Sequence, residues 1–581
     1  MDNLAIARIL AEIGDLLEIR GDNPFKIRAY RNGADTLADE PSAAAAMTEA
    51  QLQQLPGIGR DLAKKIREIV DTGDTAFHRE LLEEFPPTIL DLLRLPGLGP
   101  RTVRQLYTEL DIRTLADLET AARDGRLERL RGMGPKKREL ILKAVQTRQQ
   151  YAGRHLLPDM HDIAAALVAD LREDLPAADI VPVGSLRRGC ETCGDLDLLV
   201  SGAETTAIDR FLGYRLVEEV LARGDTKASV RLWGGIQADL RLVPAESRGA
   251  AMQYFTGSKA HNIALRDRAL QRGLKLNEYG LFRIEGGERL AGATEEGIYE
   301  ALGLAWIPPE LREHRGEIEA AEARQLPRLI DLADLRGDLH SHTTATDGRD
   351  DIETMARAAK EAGLRYLAIT DHSQSLTMSN GLDERRALEH ARRIREAGSR
   401  IDGITLLAGI ECDIRADGTL DLADDCLAQL DYVVASIHSG FAQEAAQMTD
   451  RLLRAIDNRW IDTIGHPTGR KLLKREPHKG DMTAVVDAAA RHGVALEINC
   501  QIDRLDLSDV HARLARERGV RLIIASDSHS QAGFGVLRWG VQVARRAWIG
   551  PGDVLNTRPP DEFLASLRRH RTRGGASAPS A

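Results

Sequence analysis

Arg336-Gly337-Asp338-Leu339-His340-Ser341-His342 decides how the C-terminal half is read: a short strand signal that ends in two histidines two residues apart. The arrangement recurs downstream. His372 follows Leu367-Ala368-Ile369-Thr370-Asp371, Glu411 follows Leu406-Leu407-Ala408-Gly409-Ile410, and His438 follows Tyr432-Val433-Val434-Ala435-Ser436-Ile437. His466 follows Ile461-Asp462-Thr463-Ile464-Gly465, Asp527 and His529 follow Leu522-Ile523-Ile524-Ala525-Ser526, and Asp347 stands just after the first pair. Ala-, Arg- and Glu-rich stretches with helical spacing separate these segments. Short buried strands alternating with helices predict a parallel β/α layer, and a barrel of that type gathers its chemistry at the C-terminal strand ends. A single histidine at a strand end is more often a hydrogen-bonded structural group than a ligand. Recurrence on at least six successive strands reverses that judgement. Imidazoles mixed with carboxylates, with no thiolate among them, suit Zn²⁺ or Mn²⁺ in a hydrolytic cluster of more than one ion.

These motifs resemble those of the PHP (polymerase and histidinol phosphatase) superfamily: Asp338-Leu339-His340-Ser341-His342, Thr370-Asp371-His372-Ser373, the Glu411 and His438 strands, Gly465-His466-Pro467 and Ser526-Asp527-Ser528-His529. The resemblance spans about residues 336–560. It implies a distorted β/α barrel holding a trinuclear phosphoesterase centre, Zn²⁺ or Mn²⁺, on the nine ligands His340, His342, Asp347, His372, Glu411, His438, His466, Asp527 and His529.

At 581 residues the chain is too long for one core and predicts three to five domains. Its 43% hydrophobic content supports globular folding. With no run of eighteen apolar residues and no signal-peptide pattern at Met1-Asp2-Asn3, the expectation is a cytoplasmic protein without membrane contact. Five scattered cysteines argue against a disulfide framework, and Cys190-Glu191-Thr192-Cys193 is a lone C-x-x-C without a second pair. The net charge of −10 counts on its face against nucleic acid, but global charge is a poor guide where an acidic metal domain shares the chain with smaller modules. Locally Arg129, Arg131, Lys136, Lys137, Arg138, Lys143 and Arg148 form one basic stretch, and Lys64, Lys65 and Arg67 another.

An internal repeat opens the chain: Leu55-Pro56-Gly57-Ile58-Gly59, Leu95-Pro96-Gly97-Leu98-Gly99 and the degenerate Leu130-Arg131-Gly132-Met133-Gly134. The glycines permit a tight turn with positive φ that aims free N–H groups from the start of the following helix. Such a turn grips a phosphate without reading a base. One copy reads equally well as a plain helical hairpin. Three copies followed by Arg101, Arg104, Lys136 and Lys137 favour DNA, and they resemble helix-hairpin-helix motifs.

Next come Gly184-Ser185-Leu186-Arg187-Arg188-Gly189 and then Gly194-Asp195-Leu196-Asp197-Leu198-Leu199-Val200. On a strand, residues i and i+2 share a face, so Asp195 and Asp197 present their carboxylates together and repel unless cations lie between them. Asp239, in the second strand Gln237-Ala238-Asp239-Leu240-Arg241-Leu242-Val243, offers a third carboxylate. Three such acids can hold two Mg²⁺ (or Mn²⁺) ions about 3.5–4 Å apart. Gly184, Ser185 and Arg188 supply a backbone turn, a hydroxyl and a guanidinium suited to a triphosphate. A bare D-x-D is weak, since surface strands often carry it. The preceding G-S-L-R-R-G narrows the choice, and the segment resembles the nucleotidyltransferase signature of family X DNA polymerases. Agreement continues through Tyr254-Phe255-Thr256-Gly257-Ser258, Asn262 and Leu276-Asn277-Glu278-Tyr279-Gly280. The resemblance implies nucleotide binding by Gly184, Ser185, Arg188, Gly194 and Gly257, Tyr254 and Phe255 against the sugar, and Asn262 on the incoming base. Lys259 stands where vertebrate relatives tend to carry an acid and is either a further cation near the nucleotide or a solvated one.

Asn23-Pro24-Phe25-Lys26-Ile27-Arg28-Ala29-Tyr30-Arg31 and Ala63-Lys64-Lys65-Ile66 resemble the same family's 5′-phosphate-binding, lyase-type domain. Lys65 takes the Schiff-base position. A lysine expected four residues earlier is Asp61, so the departure favours Lys65 as a solvated lysine on a DNA-facing helix. The expected organisation is an α-helical lyase-like domain (1–84), helix-hairpin-helix fingers (85–150), a mixed α/β palm (151–251), an α+β thumb (252–312), a helical linker (313–335), the β/α barrel (336–570) and a disordered tail (571–581). The resemblance covers nearly the whole chain and implies a monomeric DNA repair polymerase with a barrel that hydrolyses phosphodiesters at 3′ ends or abasic sites. Its partners would be gapped or primer-template DNA and dNTPs. Two rivals stand beside it: a polymerase fused to a small-molecule phosphatase, marked by activity on phosphorylated metabolites alone, and a non-enzymatic DNA-end scaffold, marked by a broken acid triad or ligand set.

Overall fold

The computed structural model describes residues 3–567 except 41–43, 87, 94, 96–97, 131, 151–152 and 204. Gly97 and the tail 571–581 therefore lie outside the described residues. The chain divides into two compact units, Met1–Ala152 and Gly153–Ala581.

The first unit is all helical. Arg60–Thr72 shows why: Leu62, Ala63, Ile66 and Ile69 recur on one face and are buried, and Gly73 ends the helix at φ +85°. Asn23 caps Pro24–Asp39 by accepting from Phe25 N, with proline at the first turn. Thr114 and Asp117 form a reciprocal capping box for Leu115–Arg123. One continuous core runs from Ile6 to Val145, so the lyase-like and hairpin segments share a single hydrophobic interior.

The second unit begins with a five-stranded sheet in the order Asp179–Pro182, Asp195–Ser201, Ile236–Val243, Lys227–Leu232, Val217–Arg223. Only the Asp195–Ser201 and Ile236–Val243 strands pair in parallel, and their register sets Asp197 opposite Asp239. Helices Arg248–Thr256 and Lys259–Gln271 and a three-stranded antiparallel sheet, Leu274–Asn277, Gly280–Arg283 and Arg289–Ala291, form the thumb. The segment 313–335 is not a free helical linker. Its one α-helix, Glu317–Glu322, is short, and Ile318, Ala321 and Leu329 belong to the thumb core. Glu317 is fully buried, 2.6 Å from His261 Nδ1.

Seven parallel strands follow in sequential order: Gly337–Asp338, Tyr366–Ile369, Thr405–Asp413, Tyr432–Ser436, Thr463–Ile464, Ala495–Asn499 and Leu522–Ala525. A parallel bridge between Ser341 and Ser528 joins the first to the last, leaving a nearly closed barrel. Palm and barrel share one hydrophobic cluster, from Leu157 through Leu240 to Val554. All five cysteines are free. Among the described residues no helix is long and apolar enough to cross a membrane.

Candidate functional site

Because the barrel strands are parallel, their C-terminal ends share one rim, and the nine expected ligands converge there. Glu411 is the hub. It lies 2.8 Å from His372 Nδ1, 3.0 Å from His466 Nε2, 3.2 Å from His438 Nε2 and 3.3 Å from His340 Nε2. Asp527 lies 3.1 Å from His342 Nε2, and Asp347 bridges His372 and His529 at 3.3 and 3.6 Å. Three overlapping clusters result: His342, Asp347, His372 and His529; His340, His342 and Asp527; and His372, Glu411 and His438. His466 and Asp527 hold φ at +27° and +52°, a strained conformation for residues with a Cβ that persists where the surroundings fix it.

The donor set fits divalent ions. Neighbouring donors about 2.1 Å from one metal stand roughly 3.0–3.4 Å apart, close to the spacings around Glu411. His340 Nε2, His342 Nδ1 and Glu411 Oε2 are buried without a hydrogen-bond partner, which buried polar atoms rarely tolerate. Burial opposes charge on His372 and His438, yet Glu411 with Asp347 raises the former to about 10, and Glu411 with Asp413 the latter to about 9. Cations binding there would displace protons.

Sequence reasoning missed the residues behind the ligands. The Thr405–Asp413 strand outruns its apolar run, so Asp413 shares a face with Glu411 and lies 3.1 Å from His438 Nδ1. Glu497, fully buried, lies 2.7 Å from His340 Nδ1 and accepts from His466 N. Asn499 donates to Asp527 at 3.0 Å. Such partners fix which ring nitrogen faces a metal. The i, i+2 spacing from Glu411 was the available signal for Asp413.

In the palm, Asp195, Asp197 and Asp239 present carboxylate oxygens within 4.8 Å of one another. Ser229 Oγ and Gln237 Nε2 donate to Asp239, the latter at 3.0 Å. Burial first, then Asp195 and Asp239, raise Asp197 to about 6. Gly184 has φ +67°, and a Cβ there would lie 2.4 Å from Asp197 Oδ2, so glycine is required twice over. Ser185 is half-buried at the start of the short helix Gly184–Arg187. Gly194 directly precedes the acid strand.

The two arginines of the motif diverge. Arg187 pairs with Glu295 through two hydrogen bonds of 2.8 and 2.6 Å. Arg188 donates to Glu313 at 2.9 Å and to Thr256 O at 2.8 Å, so its guanidinium is already engaged. Asn262 donates to Tyr254 O and Gly257 O at 2.6 and 3.1 Å, pinning the turn that carries the Tyr254–Phe255 pair. Those rings pack edge-on at 5.2 Å, and Arg241 lies over Phe255. Lys259 is exposed at the start of its helix.

Family models match nearly every part of this architecture: a helix-hairpin-helix domain over residues 1–75, a SAM-like helix-hairpin-helix tandem over 89–147, the DNA polymerase beta palm over 157–234, the DNA polymerase beta thumb over 251–313 and a PHP domain over 338–501. The "DNA polymerase/3'-5' exonuclease PolX" of Bacillus subtilis (strain 168) is 36% identical over 568 residues, 97% of this chain and 99% of that protein. The chain belongs to the PolX family. A "Probable phosphatase" of Shewanella sediminis (strain HAW-EB3) is 30% identical over 247 residues, 40% of this chain and 95% of that protein. Asp239, Asp527 and His529 lie beyond the matched palm and PHP ranges, and it is the fold that brings them to the other ligands.

The hairpins of this PolX-family chain share one geometry. Ile58, Leu98 and Met133 are buried between their glycines, and their amides bond back to Leu55, Leu95 and Leu130. Gly57 and Gly132 have φ of +75° and +85°, while Gly59, Gly99 and Gly134 directly precede helices. A Cβ at Gly59, Gly99, Gly132 or Gly134 would meet nothing within 4 Å, so no neighbour in the chain demands glycine there. Lys65 Nζ and Lys26 Nζ lie 4.7 and 4.4 Å from the Phe77 ring centroid, placing two lysine cations against one aromatic ring.

Proposed function

We propose that this chain is a gap-filling DNA repair polymerase whose barrel removes nucleotides from 3′ ends. One observation carries the reading: a carboxylate triad and a cluster of eight candidate ligands, with His466 3.0 Å from Glu411, lie in one compact unit of a PolX-family chain. Mg²⁺ or Mn²⁺ fits the all-carboxylate palm, and Zn²⁺ or Mn²⁺, as three ions, fits the mixed barrel set. When bound, such ions activate a hydroxyl nucleophile and steady charge on the leaving group.

The chain's own residues do the rest. Asp195, Asp197 and Asp239 would hold the palm ions. Ser185 and the Gly184 turn take phosphate oxygens, and Arg188 joins them by exchanging Glu313 for the triphosphate. Tyr254 and Phe255 bound the sugar and Asn262 braces their turn. The hairpin glycines Gly57, Gly59, Gly99, Gly132 and Gly134 would offer backbone amides to DNA phosphates, and Gly97, outside the described residues, is assigned the same role by its motif. Lys26 and Lys65 suit a 5′-phosphate, with Lys65 the candidate lyase nucleophile. The same reading has the protein act in the cytoplasm.

The test compares wild type, Asp195→Ala/Asp197→Ala and His340→Ala/His342→Ala on a one-nucleotide-gapped duplex with a labelled 3′ end. The first variant should lose extension and keep degradation, and the second the reverse. Joint loss of both activities in either folded variant would overturn the two-site reading. The likeness to proteins named as phosphatases supports a second reading, a barrel acting on small phosphomonoesters. Hydrolysis of a phosphorylated metabolite with no loss of 3′ label would establish it instead.

A further inference from the structure

The loops at the ligand end of the barrel differ sharply in charge. Between Gly465 and Gly480, after the Thr463–Ile464 strand, stand Arg470, Lys471, Lys474, Arg475 and Lys479 against the single acid Glu476. The loops following the other six strands carry at most one lysine or arginine each. This concentration occurs in a chain of net charge −10.

The loop is firmly built. Asp506 accepts from Thr468 N at 3.0 Å and Thr468 Oγ1 at 2.8 Å, tying it to the Cys500–Ser508 segment. Arg475 lies 4.0 Å over the Phe441 ring, from the loop after His438, and donates to Gly469 O. Lys471 Nζ is 3.0 Å from Asp503. Arg470, 8% exposed, donates to Arg504 O at 3.0 Å and pairs with Glu191, which lies in the palm between the Gly184 turn and Asp195. The basic loop thus abuts the palm on one side and carries His466 at its root. Lys474 and Lys479 are exposed, and the half-buried guanidinium of Arg504 has no hydrogen-bond or ion-pair partner among the described residues.

A strand whose terminal phosphodiester lies at the ligand cluster must leave over the barrel rim. Each phosphate it carries away favours the route lined by cations. We propose that the Gly469–Gly480 loop with Arg504 is the binding track for the phosphodiester backbone of single-stranded DNA whose 3′ end enters the barrel. Lys474, Lys479 and Arg504 meet phosphates on the 5′ side of the scissile bond, and Arg475 on Phe441 forms a planar face against which a base can stack. The track leads from the palm side, so a primer end released from the acid triad reaches the barrel along it. The inference rests on the barrel acting on DNA 3′ ends.

The test is steady-state degradation of a 5′-labelled single-stranded oligonucleotide by the full chain across a salt series, comparing wild type with Lys474→Ala/Lys479→Ala/Arg504→Ala. None of these three residues is among the nine ligands, and bound metal is measured in both proteins. The expected result is a KM raised about ten-fold or more with metal content unchanged, and a salt dependence of log(kcat/KM) shallower by about 2, at roughly 0.7 per lost phosphate contact. A KM and salt slope equal to wild type would overturn the track. Loss of kcat with an unchanged KM would overturn it too, since the residues would then act on the chemistry. A wild type that leaves the oligonucleotide intact overturns the 3′-end reading itself, a distinguishable failure.

Discussion

Glu295→Gln tests how the nucleotide turn is held. Glu295 is 5% exposed and accepts from Arg187 at 2.8 and 2.6 Å and from Arg312, which is fully buried between Tyr299 and Trp306. Burial alone would raise its pKa; the two guanidiniums instead bring it down from 4.5 to about 2. At roughly 1.36 kcal/mol per pH unit, that fall is worth about 3 kcal/mol of folded-state preference for the carboxylate. The figure agrees with the roughly 3–5 kcal/mol lost when one member of a buried ion pair is removed and its partner stays uncompensated. The folded pKa lies below the unfolded one. The stabilisation is therefore complete above the unfolded value of 4.5 and declines as pH falls toward about 2. Urea unfolding of wild type and variant should show a gap of about 3 kcal/mol at neutral pH that shrinks to roughly half near pH 3. A neutral-pH gap below about 1 kcal/mol, or one independent of pH, would refute the argument. Arg187 also bonds Thr256 Oγ1 at 2.8 Å, so the variant should raise the KM for dNTP as well.

Four further outcomes follow from the two centres. Asp197→Asn has the opposite sign: its folded pKa of about 6 exceeds the unfolded 3.8, so in chelator above pH 6 the variant should be more stable by about 1–3 kcal/mol after allowance for screening, the gap closing as pH falls toward 3.8 and vanishing in saturating Mg²⁺. Gly184→Ala should abolish extension while degradation persists, because its Cβ would strike Asp197; normal extension refutes the close approach. Metal uptake by the barrel at neutral pH should release protons from His372 and His438, read by calorimetry in buffers of differing ionisation enthalpy, and a buffer-independent heat would count against it. Glu497→Ala should weaken metal binding about 10–100-fold through His340 and His466, and unchanged affinity in a metal titration would exclude that orienting role.

The convergence of the candidate ligands could be read from sequence because a parallel β/α layer turns a one-dimensional regularity into a place: whatever follows each strand arrives at one rim. The partners of those ligands could not. Glu497 lies 157 residues from His340 and reads as an ordinary strand residue until the sheet order is known. Arg187 and Arg188 are adjacent, identical and in one motif, yet their carboxylates come from 108 and 125 residues away. No spacing rule tells them apart. The segment 313–335 misled for a different reason. Its Glu and Ala content favours helix, but Glu313 and Glu317 are held by the buried Arg546 and His261, and tertiary pairing overrode composition.

The charge pattern brings these observations together. A chain of net charge −10 looks unsuited to a polyanion, yet its acids are spent where cations are needed: inside the barrel as Glu411 and Asp527, in the palm triad, and against buried arginines as Glu295, Glu313 and Glu191. The cations near the ligand rim are concentrated on the Gly465–Gly480 loop, and that loop's innermost arginine is bonded to the palm. Palm and barrel also share one hydrophobic interior, which fixes the distance between the triad and the rim. Arg470→Ala removes the Glu191 contact but leaves that interior intact, so it separates the two contributions. If the shared core alone sets the geometry, extension, single-strand degradation and the hand-over of a mismatched primer end to the barrel within one binding event should all stay near wild type; if the Glu191 contact contributes, only the hand-over should slow.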